Sequence, residues 1–360
     1  MEKFMCKTQI CAGNGAMRVL CQQNIRRMLL VCDPFFLKNG VAKQVMQMVK
    51  PEKGEIFGDI VPDPSVELVA TGTQIVKSLQ PDTVVALGGG SAMDCAKAMV
   101  FFSGQKIRLI AVPTTSGSGS EVTNFSILTH NGVKHPLVDD SLQPDMAILD
   151  GDLLKELPRS LIADGGFDVL SHALEACVAK NAGAITAALS QKAFSVVLDK
   201  LPDSFAGDKT VRQEIHTAAT MAGIAFSQAG LGICHALAHS LGGQFHIPHG
   251  RLNAILLPSV VAFNARAAAA QYGELARSAG LPGSADTLAV RNLKNALIRL
   301  RRELQMPETL AQAGVNPQTL REKSGEIIRA ALADPCCATN PIVPDAGTMG
   351  QILSEVAGRG

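Results

Sequence analysis

The chain changes character near residue 155, and that change limits the folds open to it. Up to Asp150 short β-rich runs alternate with helical stretches, the pattern of a parallel α/β sheet; beyond Pro158 strand signals fade and Ala- and Leu-rich helical periodicity runs almost to the C-terminus. At 360 residues the chain is too long for one comfortable core. The expected organisation is an N-terminal α/β domain over 1–155 joined to an all-helical domain over 156–360.

In the first half, Met28–Cys32 is an apolar run ending at Asp33, and Thr83–Leu87 is another ending in Gly88-Gly89-Gly90. Between them Asp63-Pro64 predicts a helix start with Pro in the first turn, where its missing N–H costs nothing, and Val66, Val69, Val76 and Leu79 repeat with helical period. Arg108–Val112 predicts a third strand, closed by Pro113; a hairpin turning at Asn131-Gly132 follows, then a strand over Met146–Leu149. The clearest helical segments of the second half are Thr186 to Leu201, Val211 to Ser227, Asn253 to Ala269 and Ala289 to Leu304, punctuated by Pro282-Gly283, Pro307 and Pro335.

Two loops read as a nucleotide site. Gly88-Gly89-Gly90-Ser91 follows a buried strand and opens a helix: glycines let a phosphate approach the backbone, and a helix N-terminus offers unpaired N–H groups. Ser91 is expected to cap that helix, with Asp94 in a capping-box-like position. The segment Pro113-Thr114-Thr115-Ser116-Gly117-Ser118-Gly119-Ser120-Glu121 also follows a strand, and it reads either as a wrap for adenosine or pyrophosphate or as an ordinary polar turn. Strand C-termini are where open α/β sheets bind ligands. Asp33 is placed either to accept from an adenosine ribose hydroxyl, repelling a 2′-phosphate and favouring NAD over NADP, or as a surface-loop aspartate. Ala12-Gly13-Asn14-Gly15-Ala16 has too few glycines, too early in the chain, for a dinucleotide fingerprint and is read as a turn.

The second half carries a cluster of a different kind. Four of the eight histidines, His235, His239, His246 and His249, fall within fifteen residues, and Asp168 and His172 stand four apart upstream. Residues at i and i+4 share a helical face, so each stretch can offer two side chains to one point. One carboxylate and three imidazoles make a cage for a divalent transition metal. Any one of these histidines alone reads more readily as a core or capping residue; the set together favours the metal.

Composition narrows the partners. A net charge of +1 gives no electrostatic footprint for nucleic acid or anionic lipid, and with no Trp and one Tyr a base-stacking platform is not expected. No secretion signal and no uninterrupted 18-residue apolar stretch stands out, so a cytoplasmic protein acting on small molecules is expected, with other protein subunits as the remaining partners. Nine cysteines, an odd number with irregular spacing and no Cys-x-x-Cys, read as reduced thiols; Cys177 and Cys234 lie near the cage in sequence but are not expected to ligate.

These landmarks, in this order across essentially the whole chain, resemble the iron-containing (group III) alcohol dehydrogenases. The matching segments are Gly88–Ser91 with Asp94, Pro113 to Glu121, Phe167-Asp168-Val169-Leu170-Ser171-His172-Ala173-Leu174-Glu175-Ala176, His235 through His239, Leu241-Gly242-Gly243 and Pro248-His249-Gly250. Within that family the chain is most similar to the propanol dehydrogenases of propanediol-utilisation microcompartments, at Gly90–Asp94 and Gly243-Gln244-Phe245-His246. The resemblance implies the dehydroquinate synthase-like fold: a Rossmann-like dinucleotide-binding domain, a helical metal-binding and catalytic domain, and a cleft holding NAD(H) and a divalent metal, Fe²⁺ by preference with Zn²⁺ as the other candidate. It implies Asp168, His172, His235 and His249 as ligands and His239 as a candidate for proton transfer. Gly89, Gly90, Ser91 and Asp94 map onto the pyrophosphate and nicotinamide-ribose region, Thr114, Thr115 and Ser118 onto the adenosine side, and Asp33 and Lys134 lie near the riboses. It also implies a homodimer and a place as microcompartment cargo. Three departures stand out: Asp164-Gly165-Gly166-Phe167 in place of a small, threonine-containing lead-in; Arg251 where an apolar residue is common, putting a cation near the metal or the coenzyme phosphates; and Ser118 where threonine is more frequent.

The expected chemistry is reversible NADH-linked reduction of a short aliphatic aldehyde, propionaldehyde or acetaldehyde, to the primary alcohol. The rivals are another polyol or lactaldehyde oxidoreductase of the superfamily, a dehydroquinate-synthase-like lyase, and a catalytically silent cargo or assembly protein. The lyase's acidic, phosphorylated substrate should demand a cluster of Lys and Arg; the neighbourhood of His235 is instead Ala, Leu, Ser and Gly, with Arg251 the exception.

Overall fold

A computed structural model describes residues 3–130 and 133–358. The chain forms two compact units, Met5–Leu157 and one that begins at Pro158. The first is built on a six-stranded parallel sheet of β1 (Gln9–Ala12), β2 (Arg27–Cys32), β3 (Lys53–Phe57), β4 (Thr83–Gly88), β5 (Arg108–Pro113) and β8 (Met146–Leu149), in the order β1-β8-β5-β4-β2-β3. Helices α1 (Pro34–Lys38), α2 (Val41–Val49), α3 (Val66–Leu79) and α4 (Gly90–Ser103) connect the strands, and β6 (Phe125–His130) and β7 (Val133–Val138) form a separate antiparallel pair. The turn expected at Asn131-Gly132 lies outside the described residues.

The central strands are continuous apolar runs because both faces of the sheet are covered. In β4, Val84 and Ala86 pack with Val76 of α3 and Met93 and Met99 of α4. Val85 and Leu87 point the other way, toward Leu20 of a short 3₁₀ turn and Ala42 and Val45 of α2. Each fully buried Val or Leu there contributes about 1.5–3 kcal/mol relative to exposure. Being parallel, these strands deliver their C-terminal ends to one edge, where Gly88 stands in register with Pro113.

The structure corrects several local expectations. Asp63 takes a left-handed conformation (φ 55°) and Pro64 precedes the helix; α3 begins at Val66, capped by Ser65, whose hydroxyl accepts from the Leu68 amide at 3.2 Å. Val66 is exposed, so the buried face of α3 is Val69, Gly72, Thr73, Val76 and Leu79. Ser91 is no cap: Gly89 holds the N-cap position of α4 and no side chain caps it. Edge strands β1 and β3 give no strand signal because they are short and mostly exposed. The turn reading of Ala12–Ala16 agrees with the structure, where the Asp150 carboxylate accepts from the amides of Gly15 and Met17, both at 2.9 Å.

The second unit is helical throughout: α5 (Arg159–Val178), α6 (Ala184–Ala206), α7 (Arg212–Ala229), α8 (Ile233–Phe245), α9 (His249–Ser278), α10 (Asp286–Glu303), α11 (Pro317–Ala333), α12 (Cys336–Thr339) and α13 (Ala346–Ala357). Helix α5 is buried almost all round beyond Ile162, which is why its sequence shows little amphipathic stripe. It packs on α6, α7 and α9. Helix α9 is long and apolar enough to cross a membrane by composition, but most of it is buried under α5, α8 and α10. Pro202 and Pro258 sit inside α6 and α9, whereas Pro282-Gly283, Pro307 and Pro335 fall between helices as expected.

Gly88 is the tightest point of the first unit's ligand edge. A Cβ there would stand 2.5 Å from Asp33 Oδ2 and 2.6 Å from the Ala92 Cβ, and neither is the free end of a flexible chain. Gly88→Ala is expected to cost roughly 1–3 kcal/mol of stability by overpacking, read as a lower urea midpoint; an unchanged midpoint would contradict this packing.

Candidate metal centre and coenzyme loops

The four side chains singled out in the helical half come from three helices of one unit. Asp168 and His172 lie one turn apart on α5, His235 is in the first turn of α8, and His249 opens α9. Asp168 Oδ1 is 3.8 Å from His172 Nε2, 3.8 Å from His235 Nε2 and 3.6 Å from His249 Nε2. These separations are too long for hydrogen bonds. They are close to the edge of a coordination polyhedron with arms of 2.0–2.2 Å, roughly 3.4 Å for a tetrahedron. The donor atoms of Asp168, His235 and His249 all lie within 4.8 Å of one another. His172 reaches Asp168 but sits further round, stacked between Phe226 (4.3 Å between ring centres) and His235 (4.6 Å).

The cage is held from outside by residues that the ligand spacing does not reveal. Glu175, one turn beyond His172, lies with Oε2 2.6 Å from His235 Nδ1, and its Oε1 accepts from the Cys234 amide at 2.7 Å. That contact holds a proton on His235 Nδ1 and leaves Nε2 as the ring atom that faces Asp168. Asn253, one turn into α9, donates through Nδ2 to Asp168 Oδ1 at 2.9 Å. Burial works against the Asp168 anion, but His172, His235 and His249 outweigh it and hold the carboxyl below its usual range. Burial opposes a charged His235 too, yet Asp168 and Glu175 raise its pKa to about 9, while burial pushes His249 well down despite Asp168. A negative pocket with one readily neutral imidazole suits a divalent cation.

His239 lies one turn beyond His235, its ring stacked on that of His249 at 5.1 Å and its Nδ1 2.8 Å from Asp334 Oδ2. Asp334 also accepts from the Cys336 amide at 2.8 Å; burial pushes its pKa up, but the His239 contact prevails and brings it to about 2. A side-chain atom of Cys336 completes a second close group with His239 and Asp334. The 2.8 Å spacing there is that of a hydrogen bond, unlike the 3.6–3.8 Å around Asp168. Asp334 had no signal in the sequence, being 95 residues from its partner. His246, the remaining member of the histidine run, ends α8 in a left-handed conformation and belongs to neither group.

Within the α/β unit the two loops lie against each other. Asp33 Oδ2 accepts from the Gly89 amide at 2.9 Å, so Asp33 braces the glycine turn; burial raises its pKa and that hydrogen bond lowers it. The Thr114 amide donates to the Gly88 carbonyl at 3.0 Å, and a Cβ on Gly89 or Gly90 would meet Thr115 Oγ1 or Ser118 Oγ at 3.3 Å. Ser91 is in the first turn of α4. Asp94 does not close a capping box: it accepts from Ser120 Oγ at 3.3 Å, and burial raises its pKa to about 6 against the pull of Lys97. Lys97, passed over in the sequence, is buried and donates to Ser120 Oγ, Thr123 O, Thr123 Oγ1 and Phe125 O at 2.8–3.2 Å, tying α4 to the second loop. Lys134, on β7, pairs with Asp63 at 2.7 Å, and its charge also acts on Asp94.

Arg251 differs from expectation. Its Nε donates to Asp164 Oδ1 at 3.2 Å and its Nη2 to Oδ2 at 2.9 Å, so its charge is matched within the helical unit and is not presented free to a phosphate. Cys177 and Cys234 are buried thiols whose pKa values burial raises, and all nine cysteines are free.

Comparison with known proteins agrees with this geometry. Residues 7–151 match the family model for iron-containing alcohol dehydrogenase, and residues 162–357 match that for the C-terminal part of the Fe-containing alcohol dehydrogenase family. The chain is 41% identical to 1-propanol dehydrogenase PduQ of Citrobacter freundii, over 99% of this chain and 100% of that protein. Its fold is similar to the iron-containing alcohol dehydrogenase of Thermococcus thioreducens (TM-score 0.92, 32% identity, 98% of this chain and 99% of that one). It is also similar to sulfoacetaldehyde reductase of Bifidobacterium kashiwanohense in complex with NAD⁺ (TM-score 0.90, 26% identity, 99% of each chain). With both halves matched in chain order and a full-length relative above 40% identity, this protein belongs to the iron-containing alcohol dehydrogenase family, enzymes that interconvert alcohols and aldehydes with NAD(H).

Proposed function

We propose that this enzyme reduces a short aliphatic aldehyde, propionaldehyde or acetaldehyde, to its primary alcohol with NADH, reversibly, at a metal held by Asp168, His172, His235 and His249. The observation that carries the reading is the gathering of three imidazole nitrogens around one carboxylate oxygen at 3.6–3.8 Å. The preference for a C3 substrate draws on the relative named 1-propanol dehydrogenase. Homodimerisation and a place inside a microcompartment are further proposals that rest on the family resemblance alone.

Asp168, His172, His235 and His249 would hold ferrous iron, which would supply an electrophile for the substrate oxygen and for the charge developing on it. Asn253 fixes Asp168 Oδ1 and Glu175 fixes the His235 ring, so that the ligand atoms are set before the ion arrives. Asp334 plays the corresponding part for His239: by accepting a hydrogen bond from Nδ1–H it leaves Nε2 as the atom that accepts a proton in alcohol oxidation and returns one in aldehyde reduction. Gly89, Gly90, Ser91, Asp94, Thr114, Thr115 and Ser118 are proposed to receive the dinucleotide, with Lys134 near a ribose. The carboxylate of Asp33 at the end of β2 disfavours a 2′-phosphate, giving NADH preference over NADPH. The lyase alternative is disfavoured by Arg251, the expected cation for an acidic substrate, being matched by Asp164.

Anaerobically purified protein should carry iron and oxidise NADH faster than NADPH with acetaldehyde, propionaldehyde or butyraldehyde, and Asp168→Ala and His249→Ala should lose metal and turnover while keeping their helical circular dichroism. A His249→Ala protein with full metal content would overturn the ligand assignment. Glu175→Gln, which weakens the grip on His235, is expected to lower metal affinity by roughly ten- to a hundredfold in chelator competition. His239→Asn should keep its iron but lose roughly a hundred- to ten-thousandfold in kcat, with Asp334→Asn following in the same direction; a His239→Asn enzyme with normal kcat would remove His239 from the proton path.

A further inference from the structure

Asp164 of α5 and Arg251 of α9, 87 residues apart in the chain, meet each other. The guanidinium grips both carboxylate oxygens, at 3.2 and 2.9 Å, in a fork-to-fork pair. The carboxylate is mostly enclosed, with its side chain 11% exposed, against 31% for that of Arg251.

Each partner is tied to a ligand. Asp164 precedes Asp168 by one turn on α5, so the two share a face. Arg251 is the third residue of α9, two beyond His249. Between them Gly250 lies so close to the Asp164 carbonyl that a Cβ would collide with the α5 backbone. The start of α9 is therefore seated on α5 at the residue that carries the carboxylate. A cation in the first turn of a helix opposes the helix dipole, and α9 has no acidic residue there to offset it. Asp164 supplies the offset from outside the helix, so the cost of Arg251 at that place is relieved only while α9 is docked.

We propose that the Asp164–Arg251 ion pair is a positioning element that holds His249 within ligating reach of Asp168, so that metal retention in this chain depends on the pair. The inference rests on the ligand reading above. It predicts an asymmetry: losing one partner strands a charge in a largely closed site and unseats α9, whereas replacing both with apolar groups removes the mismatch and restores the docking.

The test is the rate at which iron-loaded protein gives up Fe²⁺ to an excess of a ferrous chelator under anaerobic conditions, beside the iron content of the purified protein. Arg251→Leu and Asp164→Ala are each expected to speed release by roughly ten- to a hundredfold, and the double variant Asp164→Ala/Arg251→Leu to recover most of that loss. Arg251→Lys keeps the charge without the planar fork and should fall between. Should a truncating variant fail to fold, Arg251→Lys and Asp164→Asn carry the test, with faster release expected from both. Release at the unmodified rate from these variants, alongside an emptied His249→Ala control, overturns the positioning role and leaves the ligand set standing. Retention of iron by His249→Ala overturns the ligand set itself. A double variant no better than the worse single one overturns the pairing.

Discussion

The helical unit is organised around one carboxylate oxygen. Asp168 Oδ1 is approached by three imidazole nitrogens and held by the Asn253 amide, all within a shell of buried side chains. A cluster of this polarity is expensive to bury unless a cation or a proton compensates it. The surrounding fold can be read as what keeps the donors from pairing off among themselves. Glu175 holds one ring and Phe226 stacks on another, while Gly250 brings the start of α9 against α5. The three imidazole nitrogens stand 3.6–3.8 Å from Asp168 Oδ1, too far to hydrogen-bond with it, and this spacing supports the proposed ion between them.

The α/β unit solves a different problem by similar means. Its ligand edge must present bare backbone, so side chains there work on the loops and not in place of a ligand. Asp33 fastens the glycine turn from below, and Lys97 and Asp94 fasten the hydroxyl-rich loop through Ser120 and Thr123. No side chain caps the start of α4, the kind of helix end whose first amides suit an anion. In both units, polar side chains that look functional in sequence divide into those that face the occupant and those that brace the ones that do.

That division marks the limit of what could be read from the chain. Asp168 and His172 were legible as a pair because i, i+4 spacing on a helix is a geometric statement that survives without coordinates, and strand ends with glycine turns are similarly local; the same rule paired His235 with His239, and only the family resemblance put His249 in the proposed ligand set. The bracing residues were not: Asp334 reaches His239 across 95 residues, and nothing local marks it. Ser91 and Asp94 satisfied the rule for a capping box, but the glycine at 89 took the N-cap position and Asp94 turned to Ser120. Arg251 read as a cation near the metal or the coenzyme phosphates, and its partner Asp164, 87 residues away, left no local sign. Strands β1 and β3 failed for the opposite reason, since an exposed edge needs no apolar run to hold it. Long-range polar pairing was the larger part of the missing information, and the exposed edge strands were the rest.

One ion is proposed to join those donors. Anomalous diffraction from anaerobically grown crystals, recorded on either side of the iron absorption edge, locates that ion directly. The prediction is a single iron peak about 2.0–2.2 Å from Asp168 Oδ1 and from the Nε2 atoms of His172, His235 and His249. A peak centred on His239, Asp334 and Cys336, or no peak in catalytically active crystals, would contradict it.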